Sequence, residues 1–175
     1  VRDIPSTDIV AGDMKTNFRQ TVEGALKERG LRSPDIRGRE IRGRVVSPDD
    51  LSLDELRYTT GVGDEVFLQY LTADRRIAAF LRLSLPQADP IVPELAGAAM
   101  IREVHVYGQA VAIGEAEDGR AQHSGLGTRL IERAAEIASE HGYARLAVIA
   151  AVGTREYYRK RGFSDGALYQ VRTLA

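Results

Sequence analysis

An α/β fold, with a central mixed twisted sheet and helices on both faces, follows from three stretches of the sequence. Glu65 to Leu71 and Ile77 to Leu83 are strand-like runs joined by a hairpin-length connection. A glycine turn at 125–127 opens a helix in which Leu126, Leu130, Ala134, Ile137 and Ala138 recur at helical spacing. The apolar run from Ala144 to Val152 is a buried strand by composition, so strand, helix and strand form a crossover within one sheet.

The remaining elements follow in chain order. Residues 1–12 are read as an extended linker, since Ile4, Ile9 and Val10 set no helical period. Phe18, Val22, Ala25 and Leu26 share one face of a helix over 14–29 that Gly30 stops. Between Lys27 and Arg44, seven basic side chains (27, 29, 32, 37, 39, 42 and 44) stand against three acidic ones (28, 35 and 40), a local balance of +4. Two readings of this stretch stand side by side. One is a solvated strand edge; the other is a phosphate-contact surface, with Arg32, Arg37, Arg39, Arg42 and Arg44 available to pair with a nucleic-acid backbone. Ser47-Pro48-Asp49-Asp50 is a helix-start pattern and predicts a short helix over 51–57.

Pro86, Pro90 and Pro93 place a loop over 84–98. Residues 99–108 then alternate strictly, sending Arg102, Val104 and Val106 to one face and Glu103, His105 and Tyr107 to the other. An acidic loop at 114–119 leads into the glycine turn, and the long helix ends at His141-Gly142. A short helix over 153–162 closes at Gly162, and Ala167 to Thr173 makes a last strand.

With 175 residues the chain can build one domain with a real core and a short appendage. A net charge of −1 argues against polyanion binding over the whole surface and leaves room for a local basic face. The absence of cysteine excludes disulfides, thiolate metal sites and a cysteine nucleophile within these residues, and is compatible with the cytoplasm. No metal site and no membrane partner are expected: the apolar run at 146–152 is far too short to span a bilayer, and the N-terminus has no signal pattern. Because Val1 opens in what reads as structured sequence, the chain is expected to be the C-terminal part of something larger.

The glycine turn carries the first chemical signal. Its backbone permits close approach of a ligand, and the helix it feeds presents free N–H groups and a positive dipole end to an anion. Gly-Lys-Ser/Thr does not follow, which excludes a triphosphate loop, and Leu130 occupies the third glycine position of a dinucleotide fingerprint. Gln122-His123-Ser124-Gly125-Leu126-Gly127 resembles the Q/R-x-x-G-x-G/A acyl-CoA pyrophosphate loop of the GNAT acetyltransferases. The element order resembles that family too, as does Tyr157-Tyr158-x-x-x-Gly162-Phe163. The resemblance implies a GNAT fold with an acetyl-CoA cleft between two splayed strands. It also implies that Val104, Val106, Gln122, His123, Ser124, Gly125, Leu126, Gly127, Thr128 and Tyr157 contact the coenzyme, and that Tyr158 is the acid for the leaving sulfur.

Longer strings are more specific. Ile36-Arg37-Gly38-Arg39-Glu40, Ile101 to Gly108, the glycine loop, and Val152 to Lys160 together resemble the acetyltransferase half of the Elongator catalytic-subunit family. That resemblance implies residues 1–45 as a linker, helix and basic segment adjoining a radical S-adenosylmethionine domain, and 46–175 as the acetyl-CoA-binding domain. It further implies tRNA as partner, with the acetyl group serving carboxymethyl-type modification of the wobble uridine. S-adenosylmethionine and an iron–sulfur cluster belong only to the other half. The sequence departs from the family in lacking the cluster cysteines, and it has Ser33-Pro34 where many relatives carry a cysteine.

A thioester needs a polarised carbonyl, a base or nucleophile, and an acid for the thiolate. Tyr158 is either that acid or a helix-face aromatic packed on the sheet. Glu103 and His105 are the candidate bases, with the alternative that an arginine satisfies Glu103 structurally. His123 either touches a phosphate or caps its turn, and His141 is a helix-end residue. Competing readings are a free-standing N-acetyltransferase acting on a lysine or small amine, and a CoA-sensing domain without turnover.

Overall fold

The computed structural model describes residues 18–42, 46–107 and 125–174. The chain divides into two units, one ending at Arg39 and the other starting at Glu40. Residues 1–12, Arg44, the acidic loop at 114–119, and Gln122, His123 and Ser124 lie outside the described residues.

In the first unit, helix α1 spans Phe18–Glu28 and helix α2 spans Ile36–Arg39. Gly30 ends the first helical stretch with φ 66°, a conformation that costs a glycine little. The strand expected through the basic segment is absent at 36–39, and the reason is local. Asp35 accepts a hydrogen bond from the Gly38 N–H, and a side chain on Gly38 would collide with the Ser33 carbonyl. That compact cap winds the chain into a helical turn. Arg37 and Arg39 therefore project about 200° apart around a helix rather than along one strand face. Arg19 bridges Glu23 at 2.9 Å and Asp35 at 3.1 Å, tying α1 to the cap.

The second unit is a seven-stranded sheet in the order β1-β2-β3-β4-β5-β7-β6. The strands are β1 (Ser52–Thr60), β2 (Gly63–Leu71), β3 (Ile77–Pro86), β4 (Ala98–Val106), β5 (Arg145–Val148), β6 (Ser164–Asp165) and β7 (Gln170–Thr173). Only the β4–β5 pair is parallel, as the crossover requires. Helix α3 (Leu126–Glu140) makes that crossover, and helix α4 (Arg155–Arg159) follows β5.

The helix expected at 51–57 is instead strand β1. Ser47 does cap a turn, its hydroxyl accepting from the Asp49 N–H, but that turn is a single 3₁₀ turn at Pro48–Asp50. Beyond it Leu53, Glu55, Arg57 and Thr59 alternate with Asp54, Leu56 and Tyr58, and full-length antiparallel pairing with β2 satisfies the backbone. The expected loop at 84–98 is shorter than predicted, since β3 continues to Pro86 and β4 starts at Ala98, with a 3₁₀ turn at Pro93–Leu95 between them. The buried strand at 144–152 ends at Val148; Ile149 and Val152 are exposed despite their apolar character.

The core lies between the sheet and α3. Leu126, Leu130, Ile131, Ala134, Ile137 and Ala138 of the helix cluster with Leu68, Leu81, Leu83, Ala99, Ile101, Leu146 and Val148 of the sheet, nearly all without solvent exposure. Area burial of this kind is the main favourable term in folding, at roughly 25 cal/mol per Å² of apolar surface. Around α3's polar rim, Arg133 binds Glu55 of β1 at 2.7 Å and Arg172 of β7 binds Glu132 at 2.7 Å, so both outer parts of the sheet are pinned to the helix.

Candidate active site

One irregularity in β4 shapes the site. Arg82 pairs with Glu103 while the next residue, Leu83, pairs with Ile101, so Arg102 is an extra residue in the strand. This bulge breaks the strict alternation expected across 99–108. Ile101 and Val104 both face the α3 side, as partners of Leu83 and Leu81, and the alternation resumes with its phase reset. Pairing with β5 stops at Ile101–Val148, whereas β4 runs on to Val106. From that point the two parallel strands part. Beyond β5 the chain turns through Val152–Thr154 into α4.

Into this opening the fold brings three of the predicted coenzyme contacts. A Cβ placed on Gly127 would lie 2.5 Å from the Tyr157 hydroxyl and 3.4 Å from Cγ2 of Val106. The end of β4, the first turn of α3 and helix α4 therefore meet at one point, and a side chain larger than that of glycine would force the Tyr157 ring to move. Gly125 precedes the helix as its exposed N-cap; Leu126 is buried core, and Val104 packs against that core. The N–H groups of the first turn have no acceptor within the helix, the arrangement that suits an anion.

Tyr158 is buried at 8 % exposure, with edge-on ring contacts to Tyr157 at 5.3 Å and Phe163 at 5.5 Å. Among the described residues its hydroxyl has no hydrogen-bond partner. Burial, with a smaller contribution from Tyr157, pushes its pKa above the ordinary phenol value against the opposing pull of Arg161. A phenol kept neutral in this way is able to donate its proton.

Glu103 and His105 occupy the other face of the sheet, opposite Arg82 and Phe80. Glu103 forms an ion pair with Arg82 at 3.0 Å, and His105 Nε2 stands 3.6 Å from its second oxygen. The His105 ring stacks on buried Phe80 at 5.0 Å and faces Tyr107 at 6.2 Å. The carboxylate thus has the arginine partner that a structural role requires, and these two residues are not brought to the Gly127–Tyr157 junction.

The basic residues are divided. Arg32 and Arg37 are exposed and Arg39 half-buried in the first unit, while Arg42 belongs to the second, where it lies 3.6 Å from Glu40 with φ 37°.

Sequence reasoning missed Arg161. Its guanidinium lies 3.4 Å over the Tyr157 ring, its Nε and Nη2 donate to Thr128 Oγ1 at 2.9 and 2.6 Å, and Nη1 donates to the Tyr157 carbonyl at 2.6 Å. Thr128, expected to contact coenzyme, spends its hydroxyl oxygen on this arginine. The i, i+4 spacing of Tyr157 and Arg161 on a helix was the available signal.

The sequence profile of the Acetyltransferase (GNAT) family matches residues 47–163. Over 99% of its length the chain is 36% identical to Elongator complex protein 3 of Danio rerio and to a tRNA uridine(34) acetyltransferase of Dehalococcoides mccartyi, covering 33% and 39% of those proteins. The solved structure of the archaeal Methanocaldococcus infernus Elp3 superposes with a TM-score of 0.72 at 32% identity, across 99% of this chain and 43% of that one. The chain spans about a third of the length of the curated relatives it matches. Alongside the parted strands, the glycine junction and the paired tyrosines, the profile match settles the family: this chain belongs to the GNAT acetyltransferases.

Proposed function

We propose that this chain is the acetyl-CoA module of a tRNA wobble-uridine modifying enzyme. The observation that carries the proposal is the convergence of Val106, Gly127 and Tyr157 at the mouth of the β4–β5 opening, beside a buried tyrosine whose hydroxyl has no described partner. The missing Cβ at Gly127 lets the Tyr157 hydroxyl close on the first turn of α3, next to the exposed Gly125. In this reading the diphosphate binds at the turn 122–128 and the first N–H groups of α3. The acyl arm passes between the parted strands, where Val106, Ile149 and Val152 expose apolar surface.

The chemistry assigned to the residues is brief. Backbone amides of β4 beyond the bulge polarise the thioester carbonyl. Water adds to the carbonyl carbon, the C–S bond breaks, and the sulfur takes the proton of the Tyr158 hydroxyl, which water then restores. When another acceptor replaces water, the acetyl group passes to it with the same proton transfer to sulfur. Either Glu103 or His105 is the proposed base, with Glu103 held by Arg82 rather than free. Transfer of the acetyl carbon to uridine, with S-adenosylmethionine and an iron–sulfur cluster, is assigned to the remainder of a longer protein. The names of the relatives support tRNA as partner, and Arg32, Arg37, Arg39, Arg42 and Arg44 are proposed as its phosphate contacts.

The test follows release of free thiol from acetyl-CoA, with and without tRNA, in this chain and in its full-length parent. Tyr158-dependent release that tRNA stimulates supports the proposal. Acetylation of lysine peptides without RNA, at a rate unaffected by tRNA, would replace it with the amine-acetyltransferase reading.

A further inference from the structure

We infer that Arg161 is a positioning residue that locks the helix carrying Tyr158 to the first turn of α3, so that the coenzyme cradle and the proton donor keep one fixed separation. The inference rests on the acetyl-CoA reading above and adds to it a residue for which the family motif specifies no role, because position 161 is one of its variable positions.

The argument begins with connectivity. Helix α4 has only five residues, Arg155–Arg159, which is too short to be stable on its own. Its orientation has to come from tertiary contacts. Tyr158 anchors one side by burial among Phe163 and the core. On the other side the guanidinium of Arg161 makes three hydrogen bonds and one ring contact, and all of them end on Thr128 or Tyr157. The planar fork grips Thr128 Oγ1 with two donors, holds the carbonyl at the end of its own helical turn with a third, and lays its face on the Tyr157 ring.

A second observation makes this more than surface packing. The ring so held is the one whose hydroxyl closes on Gly127, at the distance that excludes a Cβ. Displacing the guanidinium frees the ring, and the ring sets the gap between α4 and the coenzyme turn. No carboxylate among the described residues lies within ion-pair distance of Arg161, unlike Arg133, Arg159 and Arg172, each of which is paired. Its described hydrogen-bond partners are a hydroxyl and a carbonyl, which set its geometry without neutralising its charge.

The experiment compares Arg161→Met, Arg161→Lys, Thr128→Val and Thr128→Ser in this chain. Two readouts are taken: amide hydrogen exchange along α3, and thiol release with acetyl-CoA, resolved into kcat and KM. Arg161→Met and Thr128→Val are each expected to speed exchange about tenfold at Leu130–Glu132, whose N–H groups bond back to the carbonyls of the first turn, while residues 134–138 keep their protection. Each should lower kcat by roughly 10- to 100-fold with KM within about threefold, as a misplaced donor predicts. The double variant should be no worse than either single one, Thr128→Ser should keep the exchange protection of the unmodified chain because it keeps the hydroxyl, and Arg161→Lys should recover only part, since an ammonium cannot reproduce the fork.

Additive effects, or unchanged exchange at Leu130–Glu132, would overturn the inference. A rise in KM alone would overturn it in favour of a direct phosphate contact by Arg161. If the unmodified chain neither binds nor cleaves acetyl-CoA, the functional reading fails, and the exchange data still decide whether the clamp exists.

Discussion

Gly127→Ala offers a test in which the sign of the effect depends on a single oxygen atom. The added Cβ would sit 2.5 Å from the Tyr157 hydroxyl, about 0.9 Å short of ordinary contact, while Val106 at 3.4 Å needs no adjustment. A free tyrosine would swing aside. This one carries the Arg161 guanidinium 3.4 Å over its ring, so the retreat disturbs the stack and the bonds to Thr128. Overpacking of this kind costs about 1–3 kcal/mol, against a helix-propensity gain of up to about 1 kcal/mol that shrinks in a first turn. The expected net loss is roughly 1–2 kcal/mol, a fall in Tm of about 2–8 °C for a chain of this size. In a Tyr157→Phe background the hydroxyl is gone and the nearest ring atom, Cζ, lies 3.6 Å away. There the same substitution should be neutral or stabilising by up to about 1 kcal/mol. Thermal unfolding of the four proteins makes the comparison, with acetyl-CoA affinity measured by calorimetry alongside. If Gly127→Ala stabilises both backgrounds equally, the junction at Tyr157 is not as described.

Other expectations concern single side chains. Tyr158→Phe should lower kcat for thiol release at least tenfold with little change in Tm, and the rate of the unmodified chain should show no decline attributable to this phenol below about pH 10, because burial raises its pKa. Hydrogen bonding to Arg133 holds the Glu55 carboxyl below its usual range, so this pair stabilises above the unfolded value near 4.5 and is lost as pH falls through the lower folded value. Glu55→Gln should therefore cost about 1 kcal/mol in urea unfolding at pH 7 and progressively less as pH falls below about 4.5. Leu130→Ala, which empties a fully buried site under the sheet, should cost about 2–5 kcal/mol by the same measurement. Replacing Arg32 and Arg37 with Gln should weaken tRNA binding by a similar factor across tRNA sequences and flatten its dependence on salt; unaltered binding would remove these residues from the proposed interface.

Local order was readable where one period or one residue type dictates it. The 3.6-residue spacing of Leu126, Leu130, Ala134 and Ile137 specifies α3 and its buried face before any partner is known. The hairpin β2–β3 is legible from alternation and β propensity, and the glycine turn and tyrosine pair carry the resemblance to the GNAT family that the profile match bears out. The sequence by itself thus determined the fold class and the order of the later elements. Only the tertiary structure decided that 52–60 is a strand, since its hydrogen bonds go to β2. The same holds for the extra residue at Arg102, because a bulge exists only relative to the partner strand it offsets. It also decided the partners of Arg82 and Arg161: an arginine's neighbours across a sheet or between helices are set by packing over distances the chain's own periodicity does not record.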